Sequence, residues 1–89
     1  MQVRKMRILR HKHGITRPEL GRACALSPQR ISEIELSETG LIPETQEKLR
    51  RGFESVAQRR EDALRSLRDD LARHGESLFE PVEETGYEL

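Results

Sequence analysis

Aromatic residues are nearly missing from this 89-residue chain: no Trp, one Tyr and two Phe, 3% in all. A large aromatic-lined ligand pocket is therefore not expected. Cysteine is reduced to Cys24, which excludes an intrachain disulfide and points to the cytoplasm as the default compartment. No run approaches the ~18 apolar residues of a membrane span, and no apolar stretch follows the basic start as a signal peptide requires. Hydrophobic residues make up only 34%, against about 45–50% in ordinary globular domains on a slightly wider count. A chain this short buries only roughly 60–65% of its unfolded surface, so a lone monomer is expected to be marginally stable.

Charge is abundant, at 36%, and cancels to a net of zero. The cancellation hides a pattern. Residues 1–30 hold eight basic groups against Glu19 alone. Residues 31–47 hold five acids and no base, residues 48–74 are again basic, and residues 75–89 carry five glutamates and nothing positive. A basic first third with a segregated acidic end suggests a polyanion-binding face plus a separate tail.

Hydrophobic spacing gives four helices. Val3, Met6 and Leu9 predict the first over residues 2–13, with Gly14 as its stop. Thr16-Arg17-Pro18-Glu19 is a capping box that opens a second helix, Arg17–Cys24, with Leu20, Ala23 and Cys24 as its apolar stripe. Pro18 in the first turn loses no hydrogen-bond partner. After the break at Ala25-Leu26, Ser27 caps and Pro28 starts a third helix over residues 28–36, with Ile31 and Ile34 three apart. Ser37-Glu38-Thr39-Gly40 forms a turn. Pro43 opens a long fourth helix reaching His74, interrupted only by Gly52. Its stripe begins with Leu49, Phe53 and Val56, then continues through Ala63/Leu64, Leu67 and Leu71. Leu64, Leu71 and Leu78 fall seven apart. Thirty-one residues at ~1.5 Å each span roughly 45 Å, so the far part of the stripe needs a partner helix or frays. Residues 75–89 look like an irregular acidic tail, with Pro81 and Gly86 as breakers.

Two short helices around a tight turn, preceded by a basic helix, form the helix-turn-helix layout. Leu20, Ala23, Cys24, Leu26, Ile31 and Ile34 supply inward positions, and small Gly21 and Ala25 allow close approach at the turn. Pro28, Gln29, Arg30, Ser32 and Glu33 are left to face outward. Residues 15–35, ITRPELGRACALSPQRISEIE, resemble the core of the Cro and phage-repressor (XRE-like) family of regulators. That family reads roughly L-T-Q-E-E-L-A-x-x-x-G-V-S-x-x-x-I-S-x-I-E. Thr16, Glu19, Leu20, Ser27, Ile31, Ser32, Ile34 and Glu35 match. The resemblance covers about residues 4–56. The family's usual Gln is Arg17 here, its turn Gly is Ala25, and the long helix and tail have no counterpart in its minimal domain.

The resemblance implies a phosphate contact at Arg17, where a helix N-terminus and a guanidinium both attract anions. Gln29 suits base reading, because its amide pairs bidentately with adenine N6 and N7. Arg30 suits either guanine O6/N7 or a phosphate. Glu33 either accepts from a cytosine amino group or orients Arg30. Ser27 and Ser32 are expected at the DNA backbone, with a purely capping role open for Ser27. Pro28 either meets a thymine methyl or only starts its helix, and Thr39 is a candidate phosphate contact. Arg4, Lys5, Arg7, Arg10 and Lys12 add long-range, salt-sensitive attraction, each as a solvated surface charge.

Little else points to chemistry. His11 and His13 lie two apart on a helix and face different ways, with no further ligand cluster, so no metal is expected. Cys24 lies on the apolar stripe and reads as core. No nucleophilic set, glycine-rich phosphate loop or paired carboxylates in an apolar setting are apparent, so neither enzyme activity nor a cofactor is expected. The expected architecture is all-α: a four-helix helix-turn-helix DNA-binding domain (1–56), an extended dimerisation helix (57–74) and an acidic tail (75–89). The expected function is that of a sequence-specific regulator, a repressor by family habit, binding double-stranded DNA as a homodimer with no membrane partner. One alternative is an antitoxin whose tail docks on a basic toxin. Another is a protein-interaction module that has lost DNA binding.

Overall fold

The computed structural model describes residues 2–83 and is all-helical there, without a strand. Its elements are α1 (Lys5–Lys12), α2 (Arg17–Cys24), α3 (Pro28–Glu35), α4 (Pro43–His74) and a 3₁₀ turn, Gly75–Phe79. The chain divides into two units between residues 59 and 60, and each is described on its own.

Local chemistry starts the middle helices. Thr16 Oγ1 accepts the Glu19 N–H at 3.1 Å, and Ser27 Oγ accepts the Arg30 N–H at 3.1 Å. Each satisfies one of the N–H groups a helix start leaves open. Pro18 and Pro28 fall in the first turns, as expected.

The first three helices end in one way. A residue with positive φ follows each: Gly14 (φ 62°), Ala25 (φ 59°) and Ser37 (φ 60°). The next N–H then reaches back over the last turn, Ile15 to the Arg10 carbonyl, Leu26 to Gly21 and Glu38 to Glu33, all within 3.0 Å. This closure favours glycine, because a Cβ crowds the left-handed backbone. Ala25 and Ser37 adopt it nonetheless. In the family pattern a glycine holds the position of Ala25; here alanine tolerates the strained conformation.

The core of this unit is small: Ile15, Leu20, Cys24, Ile31, Ile34, Leu49 and Val56, with Met6, Ala23, Leu26, Leu41 and Phe53 against its edge. α3 packs on α2 and α1. Two glycines make the packing possible. A Cβ on Gly21 would fall 2.5 Å from the Leu26 carbonyl oxygen, and one on Gly52 would fall 2.7 Å from Cys24 Cβ. α4 therefore lies directly on α2 at Cys24, whose thiol is raised in pKa by burial despite the smaller opposing effects of backbone amides and Lys48.

α1 departs from expectation. It begins at Lys5, because Arg4 is extended (φ −78°, ψ 147°), with its N–H donated to the Glu35 carbonyl at 2.8 Å. Val3 and Leu9 are exposed, and the inward positions are Met6 and Arg10. A stripe of steps of three gives way to a step of four that carries a charge inward.

The second unit consists of the end of α4 and the 3₁₀ turn. Leu64, Leu67 and Leu71 are 49%, 53% and 45% exposed. Gly75 (φ 47°) ends the α-helical spacing, so Leu78 leaves the seven-residue repeat. Residues 75–79 are thus ordered as a turn where irregular chain is expected, and the expected tail beyond residue 83 lies outside the described residues. No helix among the described residues is long and apolar enough to cross a membrane.

Candidate nucleic-acid interface

Glu35 is the deepest polar group, with no exposed surface, at the inner end of α3. A buried carboxylate requires a cation and hydrogen bonds to offset its lost hydration. Arg10, 5% exposed, supplies both. Its Nε donates to Glu35 Oε2 at 2.7 Å and its Nη2 to Oε1 at 3.0 Å, a bidentate pair. Arg10 Nη1 also donates to the Ile15 carbonyl at 2.9 Å, which fixes the segment leading into α2. Burial alone pushes the Glu35 carboxyl up. The Arg10 hydrogen bonds and charge, with the charge and hydrogen bonding of Arg17, outweigh it and hold the pKa below the ordinary glutamate value.

Arg17 opens α2 with its side chain about a third exposed. Its Nε lies 3.5 Å from Glu35 Oε1 and is otherwise buried without a hydrogen-bond partner. Arg7 Nη1 stands 3.9 Å from the same oxygen. Three arginines thus converge on one carboxylate. Arg17 is oriented from behind by Glu35, a tie the sequence pattern did not reveal.

The outer side of α3 forms a second network. Gln29 and Pro28 are exposed, while Arg30, Ser32 and Glu33 are half-buried. Gln29 Nε2 donates to Glu33 Oε1 at 3.5 Å, and Arg30 Nη1 lies 3.8 Å from Glu33 Oε2. Arg30 Nη1 also donates to Thr39 Oγ1 at 3.0 Å. The Thr39 carbonyl in turn accepts from Arg4 Nη2 at 3.0 Å, and Arg4 Nε donates to the Ile34 carbonyl at 2.8 Å. Gln29–Glu33 and Arg30–Thr39 are therefore two hydrogen-bonded pairs joined into one row by the Arg30–Glu33 ion pair. Ser27 sits at its start, with Oγ engaged as the helix cap. Ser32 completes the face, and its carbonyl accepts the Leu36 N–H at 3.0 Å to close the last turn.

Two expectations change. Arg10 is not a solvated charge but the partner of Glu35, because Glu35 falls beside Ile31 and Ile34 on the inward face. Arg4 and Arg7 are half-buried and hold backbone or carboxylate groups, whereas Lys5 and Lys12 are exposed. The outward charge of the first third is smaller than its composition implies. The signal was legible in one place: an acid on the apolar stripe of α3 calls for a buried base.

The chain was compared with family models, with curated proteins and with solved structures, and none of these comparisons gives a match.

Proposed function

We propose that this chain is a sequence-specific DNA-binding transcriptional regulator, a repressor, that acts as a homodimer on an inverted-repeat operator. α2 and α3 are its helix-turn-helix, and α3 enters the major groove. One observation carries the proposal: Ile31 and Ile34 are fully sealed in the core, while the opposite side of α3 presents Gln29 in a polar row with Arg30, Glu33 and Thr39. A helix held so rigidly by its apolar side, with amide and guanidinium groups on the other, has the chemistry to read base edges. Gln29 reads adenine, Arg30 reads guanine or grips a phosphate, and Glu33 and Thr39 fix the Arg30 direction. Arg17, steadied by Glu35, contacts phosphate at the start of α2, and Ser27, Pro28 and Ser32 line the approach to the DNA backbone. The end of α4 is the dimerisation element, because two modules on half-sites about one helical turn apart multiply the affinity of either.

Selection of bound duplexes from a random DNA pool tests the proposal. An inverted repeat is expected. Gln29→Ala should weaken the selected site by ~1–3 kcal/mol and relax one position per half-site, whereas Arg17→Ala should weaken all sequences alike and flatten the salt dependence. No specific retardation at moderate salt would refute DNA binding and favour the protein-interaction module.

A second function has its own support. Leu78, Phe79 and Val82 are exposed, Phe79 at 88%, among Glu76, Glu80 and Glu83. An acidic segment bearing apolar side chains suits a basic protein partner, as in an antitoxin that represses its own operon. Co-purification of a basic protein, lost on Phe79→Ser, is the expected sign.

A further inference from the structure

The exposed leucines of α4 fall in a seven-residue pattern. With Leu64 and Leu71 at the first core position, a, the other core position, d, is held by Arg60, Leu67 and His74. The flanking positions that meet across a helix pair then hold Glu61 and Arg68 on one side and Asp70 on the other. All these residues lie in the second unit, within α4. We propose that residues 60–74 pair with the same residues of a second copy of this chain, antiparallel, in the register that sets Leu64 against the partner's Leu67. The inference rests on the homodimer proposed above and specifies how its two chains meet.

Charge selects both orientation and register. In the antiparallel pair, Leu64 and Leu67 form the two central layers with the partner's Leu67 and Leu64. Leu71 lies over the aliphatic stem of the partner's Arg60, whose guanidinium reaches solvent. Glu61 then faces the partner's Arg68, and two-fold symmetry makes that pair twice. Sliding one heptad in one direction sets Arg68 against the partner's Arg68 and Asp70 against the partner's Asp70. Sliding the other way sets Glu61 against the partner's Glu61. A parallel pair stacks Arg60 on the partner's Arg60 and His74 on the partner's His74 inside the seam, and offers no opposite-charge pair in return. Only one arrangement places opposite charges across the leucine layers, and it does so with a copy of itself.

Sedimentation of the full-length chain over a wide concentration range tests this, with circular dichroism confirming that each variant keeps its helix. Glu61→Arg alone and Arg68→Glu alone should each weaken self-association by about tenfold, since each turns two attractive pairs repulsive. An equimolar mixture of the two variants should form a 1:1 heterodimer as tight as the parent dimer, and the double variant should recover the homodimer. A parent dimer indifferent to these changes would overturn the register and leave the homodimer standing. A parent chain monomeric at every concentration up to the millimolar range would overturn both. A specific DNA complex formed by that monomer would still preserve the DNA-binding reading.

Discussion

Leucine does two different things in this chain. Up to residue 59, Leu20 and Leu49 are buried among Ile31, Ile34 and Val56, and each has neighbours from other helices. From residue 60 onward, Leu64, Leu67 and Leu71 recur at the same helical spacing and stay about half exposed. Periodicity therefore reports which side of a helix is apolar, and not whether anything covers it. The first region holds itself together by unlike means: a dozen apolar side chains, two glycines where helices touch, and one carboxylate with three arginines. The second has a stripe and no internal partner for it among the described residues.

The sharpest way to break this contrast is to attack the charge within the first region. Glu35→Gln leaves Arg10 buried and unpaired, which should cost about 3–5 kcal/mol and unfold a domain of this size near ambient temperature. Thermal melting by circular dichroism measures it. A loss below 1 kcal/mol would mean that the ion pair is not what joins α1 to α3. The same pair sets an acid limit. Because the folded pKa of Glu35 lies below the unfolded value of about 4.3, its stabilisation is complete above that value and disappears as pH falls through the lowered one. The melting temperature should drop as the pH falls below about 4. The double variant Arg10→Met/Glu35→Leu should recover part of the stability and blunt that drop.

Glycine substitutions come next. Gly21→Ala and Gly52→Ala gain helix propensity but drive a methyl into the Leu26 carbonyl and the Cys24 side chain. Each should lose roughly 1–3 kcal/mol, because neither the Leu26 carbonyl nor the Cys24 Cβ, which is fixed to its backbone, can swing aside. The smallest effect belongs to the other region. Leu67→Ser, measured at a dilution where chains do not associate, should change the unfolding free energy of the first region by less than about 0.5 kcal/mol, as for ordinary surface sites. A larger change would show that the stripe supports the fold after all.

Much of the first region was legible because it is written locally. Thr16 and Ser27 announce helix starts through a side chain that bonds an N–H three residues on, and α2 falls at the expected residues. The bounds of α4 follow from Pro43 at its start and Gly75 past its end, with Gly52 the one glycine and no proline between them. What escaped is long-range. Arg10 meets Glu35 across 25 positions, and Arg30 meets Thr39 across a turn, so neither pairing leaves a periodic trace. Of the face that Val3, Met6 and Leu9 suggested, only Met6 turns inward: Val3 lies before the helix, which extended Arg4 precedes, and Leu9 is exposed. The outward polar positions of α3 were legible from the sequence, with Pro28 and Gln29 exposed and Arg30, Ser32 and Glu33 half-buried, but their wiring through Thr39 to Arg4 was not.

That wiring has a practical side. Arg4 is stitched to Ile34, Glu35 and Thr39, and Val3 beside it is exposed. A fluorophore carried at residue 3 would therefore emerge beside the loop that holds Arg30. On the proposed DNA-binding function, such a label would crowd a bound duplex and also report its arrival; an affinity handle meant to be silent belongs elsewhere on the chain.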